Sequence, residues 1–402
     1  FFKQKTAYEI STRDWSSDVC SSDLAGRMRV PFVRPALPDA AVLLPAYAEI
    51  LASRQVTKGR YLERFERAIA DRLGVKHAVA VSSCTVGLVL VYKVLDLAPR
   101  DRAAPPGEVI MPSFTFLAAP AAPVWNNLRP VFIDVDPKTT NVVPEAVAAA
   151  ITPRTVAISA CHNFGNPCDI PALEAIATKH GLKLIVDAAH GFGASLHGKP
   201  VGKGGTAQVF SLSPTKLLVA GEGGIVATDC DRLAQAVRIG REYGNDGSYD
   251  AVFAGMNGRM PELSAATGLA GLAMLDDVAA RRRTIAAAYR RGLAGFGGIG
   301  CIEESPGSEP SYKDFSITID PGVFGCSRDR VRGALAARGI ETRTYYDPPC
   351  HRQRAFAEFH DPRRSLPATD LLASRSLSLP IGEHVSEQVV AEVCDVIGHA
   401  RG

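Results

Sequence analysis

The chain has 402 residues, 46% of them hydrophobic, and a formal net charge of +3. That length is ample for a large buried core and points to two domains. The small net charge, with no long basic run, argues against nucleic-acid binding through a charged footprint. Apolar runs such as 116–125 are too short to span a bilayer. Nine cysteines lie scattered without zinc-ligand spacing, so they read as reduced thiols of a cytoplasmic protein with no metal site.

Residues 1–24 are polar, follow neither hydrophobic period and contain a near-duplication, Ser-Ser-Asp-Val and Ser-Ser-Asp-Leu. They lack the apolar core of a secretory signal. The segment resembles translated sequencing-adapter read-through, with Met28 as the expected natural start; a genuine disordered tail would read the same way. Residues 1–28 are therefore set apart as a non-native or disordered tail.

From Val30 onward helices and strands alternate. Apolar periodicity predicts helices over Val42–Leu51, Tyr61–Leu73, Val86–Leu95, Leu117–Trp125, Pro144–Ile151 and Ala172–His180. Between them, strands are predicted at Ala78–Val81, Val109–Met111, Val131–Asp134, Val156–Ala160 and Leu182–Asp187. Two more follow at Ala207–Phe210 and Ile225–Ala227. Such alternation predicts an α/β fold with a mostly parallel sheet covered on both faces. Glu262 onward reads as a long helix leading to a smaller domain, with Arg281-Arg282-Arg283 as a solvated face. There, strands are expected at Phe315–Ile319 and Ile340–Thr344, and helices at Arg328–Arg338 and Glu387–Ile397. Residues 295–300 and 305–310 are the loosest stretches.

Ligands in such sheets sit at the carboxyl ends of strands, and four strand ends carry chemistry. Lys216 follows the strand Ala207–Phe210 and precedes the turn Gly221-Glu222-Gly223-Gly224. Burial disfavours a charged lysine, and a Schiff base to a carbonyl cofactor is one solution; a surface lysine is the other reading. Asp187 ends an apolar strand and precedes Ala188-Ala189-His190. It can hold a protonated ring nitrogen by a charge-assisted hydrogen bond, or simply cap a turn. Ser83-Cys84-Thr85-Val86 runs from a strand into a helix, which suits a phosphate as well as an ordinary N-cap. Phe116 follows a third strand and could stack on a planar ring or fill the core. Together the four sites supply an amine, an acid, a phosphate cradle and a stacking ring. Pyridoxal phosphate requires these four groups.

These stretches resemble the DegT/DnrJ/EryC1/StrS sugar aminotransferases, pyridoxal-phosphate enzymes of fold type I. The resemblance covers nearly all the chain after the tail. It is carried by Ser83-Cys84-Thr85, Pro112-Ser113-Phe114-Thr115-Phe116, Val131–Asp136, Asp187–Ala194 and Ser213-Pro214-Thr215-Lys216. Gly221–Gly224, Asn257-Gly258-Arg259-Met260 and Gly339–Arg343 complete the set. The fold it implies has a large domain, 29–275, with a mostly parallel seven-stranded sheet, and a smaller α+β domain, 276–402. It implies that Lys216 bonds the cofactor and shuttles protons, and that Asp187 keeps the ring nitrogen protonated. His190 would hydrogen-bond the phenolic oxygen and Phe116 would stack on the ring. Thr85, Ser211 and backbone amides near Cys84 and Val86 would hold the phosphate, and Asn257 would reach the site of a second subunit. The implied reaction moves an amino group from an amino acid, glutamate, to a nucleotide-linked keto-sugar in a homodimer, for amino-sugar or polysaccharide synthesis. A sugar dehydratase, in which histidine replaces the lysine, and a non-catalytic sensor are the alternatives. Three departures stand out: Cys84 for a usual glycine, Gly258 for a bulky residue, and Tyr345-Tyr346 for a histidine–tyrosine pair.

Overall fold

The computed structural model describes residues 28–101 and 103–401. The expectation for the tail falls, Met28 apart, outside the described residues.

Seven strands form the central sheet: β1 (His77–Val81), β2 (Glu108–Pro112), β3 (Arg129–Ile133), β4 (Thr155–Cys161), β5 (Lys183–Asp187), β6 (Ala207–Ser211) and β7 (Gly224–Thr228). Their order is β1-β7-β6-β5-β4-β2-β3. Strands β6, β5, β4, β2 and β3 pair in parallel, whereas β7 is antiparallel to both β6 and β1. Strand β1 therefore points the same way as the parallel set, and six carboxyl ends share one edge.

Alternate strand residues face opposite sides. Ala78, Ala80, Ile110, Leu184 and Val186 pack with Phe65 and Ile69 of the helix Arg60–Leu73. Val79, Val81, Val109, Met111 and Ile185 pack with Leu88, Leu90 and Val91 of the helix Cys84–Leu95. Each fully buried Val, Leu or Ile contributes about 1.5–3 kcal/mol, so a strand apolar on both faces is stable only when covered on both. The helix Arg60–Leu73 starts at Gly59, which has no side chain to cap it. Buried Glu262 does so instead, accepting from the backbone N–H of Gly59 (3.0 Å), Tyr61 (2.9 Å) and Leu62 (2.9 Å).

The segment expected to form the smaller domain holds an antiparallel sheet of Ile299–Cys301, Phe315–Ile319 and Ser376–Leu379, backed by the helices Arg328–Ala337 and Glu387–His399. The helix Leu275–Leu293 serves both cores. Leu275, Val278 and Ala279 pack into the core of the seven-stranded sheet, and Ile285, Ala286, Tyr289 and Leu293 into that of the three-stranded one.

The long helix expected from Glu262 is two helices, Glu262–Leu272 and Leu275–Leu293, bent by 61°. Among the described residues no single helix is long and apolar enough to cross a membrane. Residues 340–344 do not form a strand; Ile340 bridges Val30 and Arg343 bridges Ser378, one residue pair each. The loose stretches at 295–300 and 305–310 contribute to the short strands Ile299–Cys301 and Ser308–Glu309. Of the arginine triplet, Arg282 is buried rather than solvated. It donates to the carbonyls of Tyr312 (3.0 Å) and Lys313 (2.8 Å), because the helix turns that position toward the small domain.

Candidate active site

The shared strand edge opens into a cleft of about 320 Å³, a size suited to a cofactor or small ligand. Lys216, Asp187, His190, Cys84, Thr85, Ser211 and Phe116 all line it. Thus seven of the nine residues singled out in the sequence converge. The other two do not line it: Val86 lies one helical residue further in, and Asn257 is exposed, bridged to Glu242.

Lys216 is positioned by a closed loop. Leu212 N–H donates to the Gly223 carbonyl (2.9 Å), Ala220 N–H to the Leu212 carbonyl (2.9 Å), and Lys216 N–H to the Ser213 carbonyl (3.0 Å). Gly221 makes the return with φ +80°, a conformation that suits glycine. Burial first, and then the neighbouring Lys313, bring Lys216 down from 10.5 to about 8. Its amine is therefore far more often neutral near pH 7 than that of an exposed lysine.

Asp187 closes β5 with its side chain buried. Oδ1 accepts from Ala189 N–H at 3.0 Å and lies 3.9 Å from the Cys84 thiol. Among the described residues no hydrogen bond engages Oδ2. Asp187 therefore does organise the turn, and it still keeps one oxygen available to a ligand. Burial pushes its carboxyl up, against the Ala189 N–H and Lys216, which pull it down. A cation placed beside it would favour the charged form. His190 is buried, and its Nδ1 has no partner. Burial, with Lys216 and Lys313 nearby, holds it well below the usual range, hence neutral.

At the helix Cys84–Leu95, Ser83 Oγ accepts from Val86 N–H at 3.1 Å. That N–H, expected to serve a phosphate, is already capped. No protein acceptor engages the N–H groups of Cys84 and Thr85 among the described residues, which leaves the positive helix end ready for an anion. Cys84 lies in the first helical turn and not in a left-handed conformation, so the site needs no glycine there. Gly224 is required instead: a Cβ on it would meet the Ser83 carbonyl carbon at 2.5 Å and Cys84 N at 2.6 Å. Phe116 is 55% exposed, which removes the core reading and leaves its ring at the mouth of the cleft.

The sequence reading missed what the small domain contributes. Lys313 and Asp314, a buried ion pair, line the same cleft with Tyr345 and Tyr346. One signal was available, two opposite charges set immediately before the apolar strand Phe315–Ile319. Cys161, at the end of β4, and Glu222, in the turn after Lys216, complete the wall.

An orphaned buried nitrogen on His190, an unengaged Asp187 oxygen, two open N–H groups at a helix start and an amine lowered to about 8 fit the groups of pyridoxal phosphate. A seven-stranded, mostly parallel sheet with these residues at its carboxyl edge defines the class: the α/β fold of the fold type I pyridoxal-phosphate transferases. Comparison with known proteins is more specific. The DegT/DnrJ/EryC1/StrS aminotransferase family matches residues 40–398. A dTDP-3-amino-3,4,6-trideoxy-alpha-D-glucose transaminase of Streptomyces venezuelae is 36% identical over 94% of this chain and 97% of its own length. A UDP-N-acetyl-3-dehydro-alpha-D-glucosamine 3-aminotransferase of Acidithiobacillus ferrooxidans is 34% identical over 88% and 92%. Among solved structures, DesI in the presence of its TDP-sugar product superposes with a TM-score of 0.85, at 36% identity over 93% and 94% of the two chains. The chain belongs to the DegT/DnrJ/EryC1/StrS aminotransferase family, whose members depend on pyridoxal phosphate, and is a transaminase.

Proposed function

We propose that this transaminase binds pyridoxal phosphate in the cleft and moves an amino group from an amino acid, glutamate, to the keto group of a nucleotide-linked sugar. The observation that carries the proposal is a lysine lowered to about 8 in one cleft with a buried strand-end aspartate. The two relatives named above, acting on dTDP- and UDP-linked sugars by their names, support the sugar half.

When bound, the cofactor supplies an aldehyde that an amine can bond and a ring that takes up electron density. Lys216 would hold the cofactor through its amine, and its Nζ would be the group that takes up and returns the proton in both half-reactions. Asp187 Oδ2 would hold the ring nitrogen protonated. His190, neutral, would hydrogen-bond the phenolic oxygen through its otherwise unpartnered Nδ1. Cys84 and Thr85 N–H, with the Thr85 and Ser211 hydroxyls, would receive the phosphate. Phe116, at the mouth of the cleft, would restrict water. Asn257, exposed and outside its own chain's cleft, serves the cleft of a second copy in a cytoplasmic homodimer. The product is an amino sugar for a surface polysaccharide or a glycosylated metabolite. Lys216 weighs against the dehydratase alternative, which needs histidine at that position.

The test is product analysis. Protein, cofactor, glutamate and a panel of dTDP- and UDP-linked keto-sugars are incubated and resolved by mass spectrometry. The proposal predicts 2-oxoglutarate and an amino-sugar nucleotide in equal amounts. A dehydrated sugar, or no amino sugar from any panel member, would contradict it.

A further inference from the structure

The roles above leave the charged pair Lys313–Asp314 of the cleft unused. Lys313 Nζ donates to both oxygens of Asp314 at 2.9 Å each, with side chains only 4% and 1% exposed. Burying such a pair gives little net stability compared with apolar residues of the same volume. The loop carrying it is nevertheless firmly held. Arg282, itself buried, donates to the carbonyls of Tyr312 and Lys313. Ser311 Oγ accepts from Lys313 N–H (3.3 Å) and donates to the His190 carbonyl (2.8 Å), tying the loop to the cofactor side. The Tyr345 ring centroid lies 5.4 Å from Lys313 Nζ.

A transaminase of the kind proposed admits two unlike substrates in turn. The amino acid brings a carboxylate that must leave water; the keto group of the sugar brings none. A desolvated carboxylate is held most strongly by a charged hydrogen-bond donor. Among the described residues lining the cleft, the lysines are Lys216 and Lys313, with no arginine, and the acids are Asp187, Glu222 and Asp314. Lys216 is committed to the reacting carbon. Lys313 remains.

We propose that Lys313 is the specificity-determining residue that reads the carboxylate of the amino-acid donor, and that Asp314 is its resident partner. This inference rests on the transaminase reading of the cleft. An ammonium has three N–H donors, and Asp314 takes two, so one is left for an incoming carboxylate. When the sugar replaces the amino acid, Lys313 stays neutralised by Asp314, so no unpaired charge faces a substrate without a carboxylate. The pair thus lets one cleft accept an anionic donor and a keto-sugar in alternation.

The experiment uses the cofactor-loaded protein and glutarate, a dicarboxylate with no amino group to transfer. Removing Lys313 alone strands Asp314, so the double variant Lys313→Met/Asp314→Leu is measured beside Lys313→Met, with thermal unfolding as a control on folding. The expected result is a loss of glutarate affinity by calorimetry, and a rise in donor KM, of roughly ten- to a hundredfold, the range for a hydrogen bond to a charged group, while keto-sugar KM is unchanged. Asp314→Asn, which removes the competing carboxylate, should tighten glutarate. A folded double variant that binds glutarate as well as wild type, or in which both KM values rise together, would overturn the assignment. If the wild type itself forms no 2-oxoglutarate from glutamate, the transaminase reading fails first and takes this inference with it.

Discussion

Lys216→Met is expected to stabilise the cofactor-free protein at neutral pH while abolishing its activity. Burial and Lys313 take the amine from 10.5 to about 8. At about 1.4 kcal/mol per pKa unit, holding that amine protonated in the fold costs up to roughly 3 kcal/mol. Lys216 is only half-buried and water in the cleft screens part of this, so a gain of about 1–2 kcal/mol is expected from the variant. The folded pKa lies below the unfolded one. The unfolded state therefore binds the extra proton, and the penalty is complete below about pH 8 and fades as pH rises to 10.5. Urea denaturation of both cofactor-free proteins at pH 7 and pH 10 reads the effect directly. The advantage of the variant should shrink to about half of its pH 7 value at pH 10. A stability difference independent of pH, or a variant less stable at pH 7, would refute the claim that the fold holds this amine at a cost.

Three further outcomes follow from the same geometry. Asp187→Asn should fold normally, because Asn can still accept from Ala189 N–H, yet lower kcat/KM by roughly a hundredfold or more, read in steady-state assays at saturating cofactor. Gly224→Ala places a Cβ 2.5 Å from Ser83 backbone and should displace the start of the helix Cys84–Leu95, weakening cofactor affinity in a fluorescence titration well beyond any loss in Tm. Glu262→Ala leaves three backbone N–H groups without their acceptor and should cost about 2–4 kcal/mol by urea denaturation at pH 7.

Most of the large domain was legible because its strands and helices are short, periodic and regularly punctuated. Every strand of the central sheet was anticipated within a few residues, since a sheet covered on both faces needs runs such as Leu184-Ile185-Val186. Asp187, His190 and Lys216 were legible for a related reason. Polar residues that end apolar strands stand out, and this architecture puts them on one edge. What was hidden depends on contacts between distant segments. Arg282 sits in a charged triplet whose local pattern is that of a solvated face, and only packing against the loop 311–314 buries it. Lys313 and Asp314 look like loop charges until the small domain brings them over the cleft. The strand Ser376–Leu379 went unread, and Ile340–Thr344 was over-read. Both are short segments that mix polar and apolar residues, where pairing partners rather than propensity decide. Val86 was assigned to a phosphate because a helix start offers several N–H groups; which of them Ser83 would cap is a matter of side-chain geometry.

The central claim is that Lys216 carries the cofactor and takes amino groups from a donor. Its most direct test is the visible absorbance of the wild type and of Lys216→Ala, each with added pyridoxal phosphate, before and after glutamate. The account predicts a band in the wild type that shifts when glutamate is added, releasing 2-oxoglutarate, and no lysine-dependent band in the variant. A wild type without the band, or a variant whose band and response to glutamate match the wild type, would contradict it.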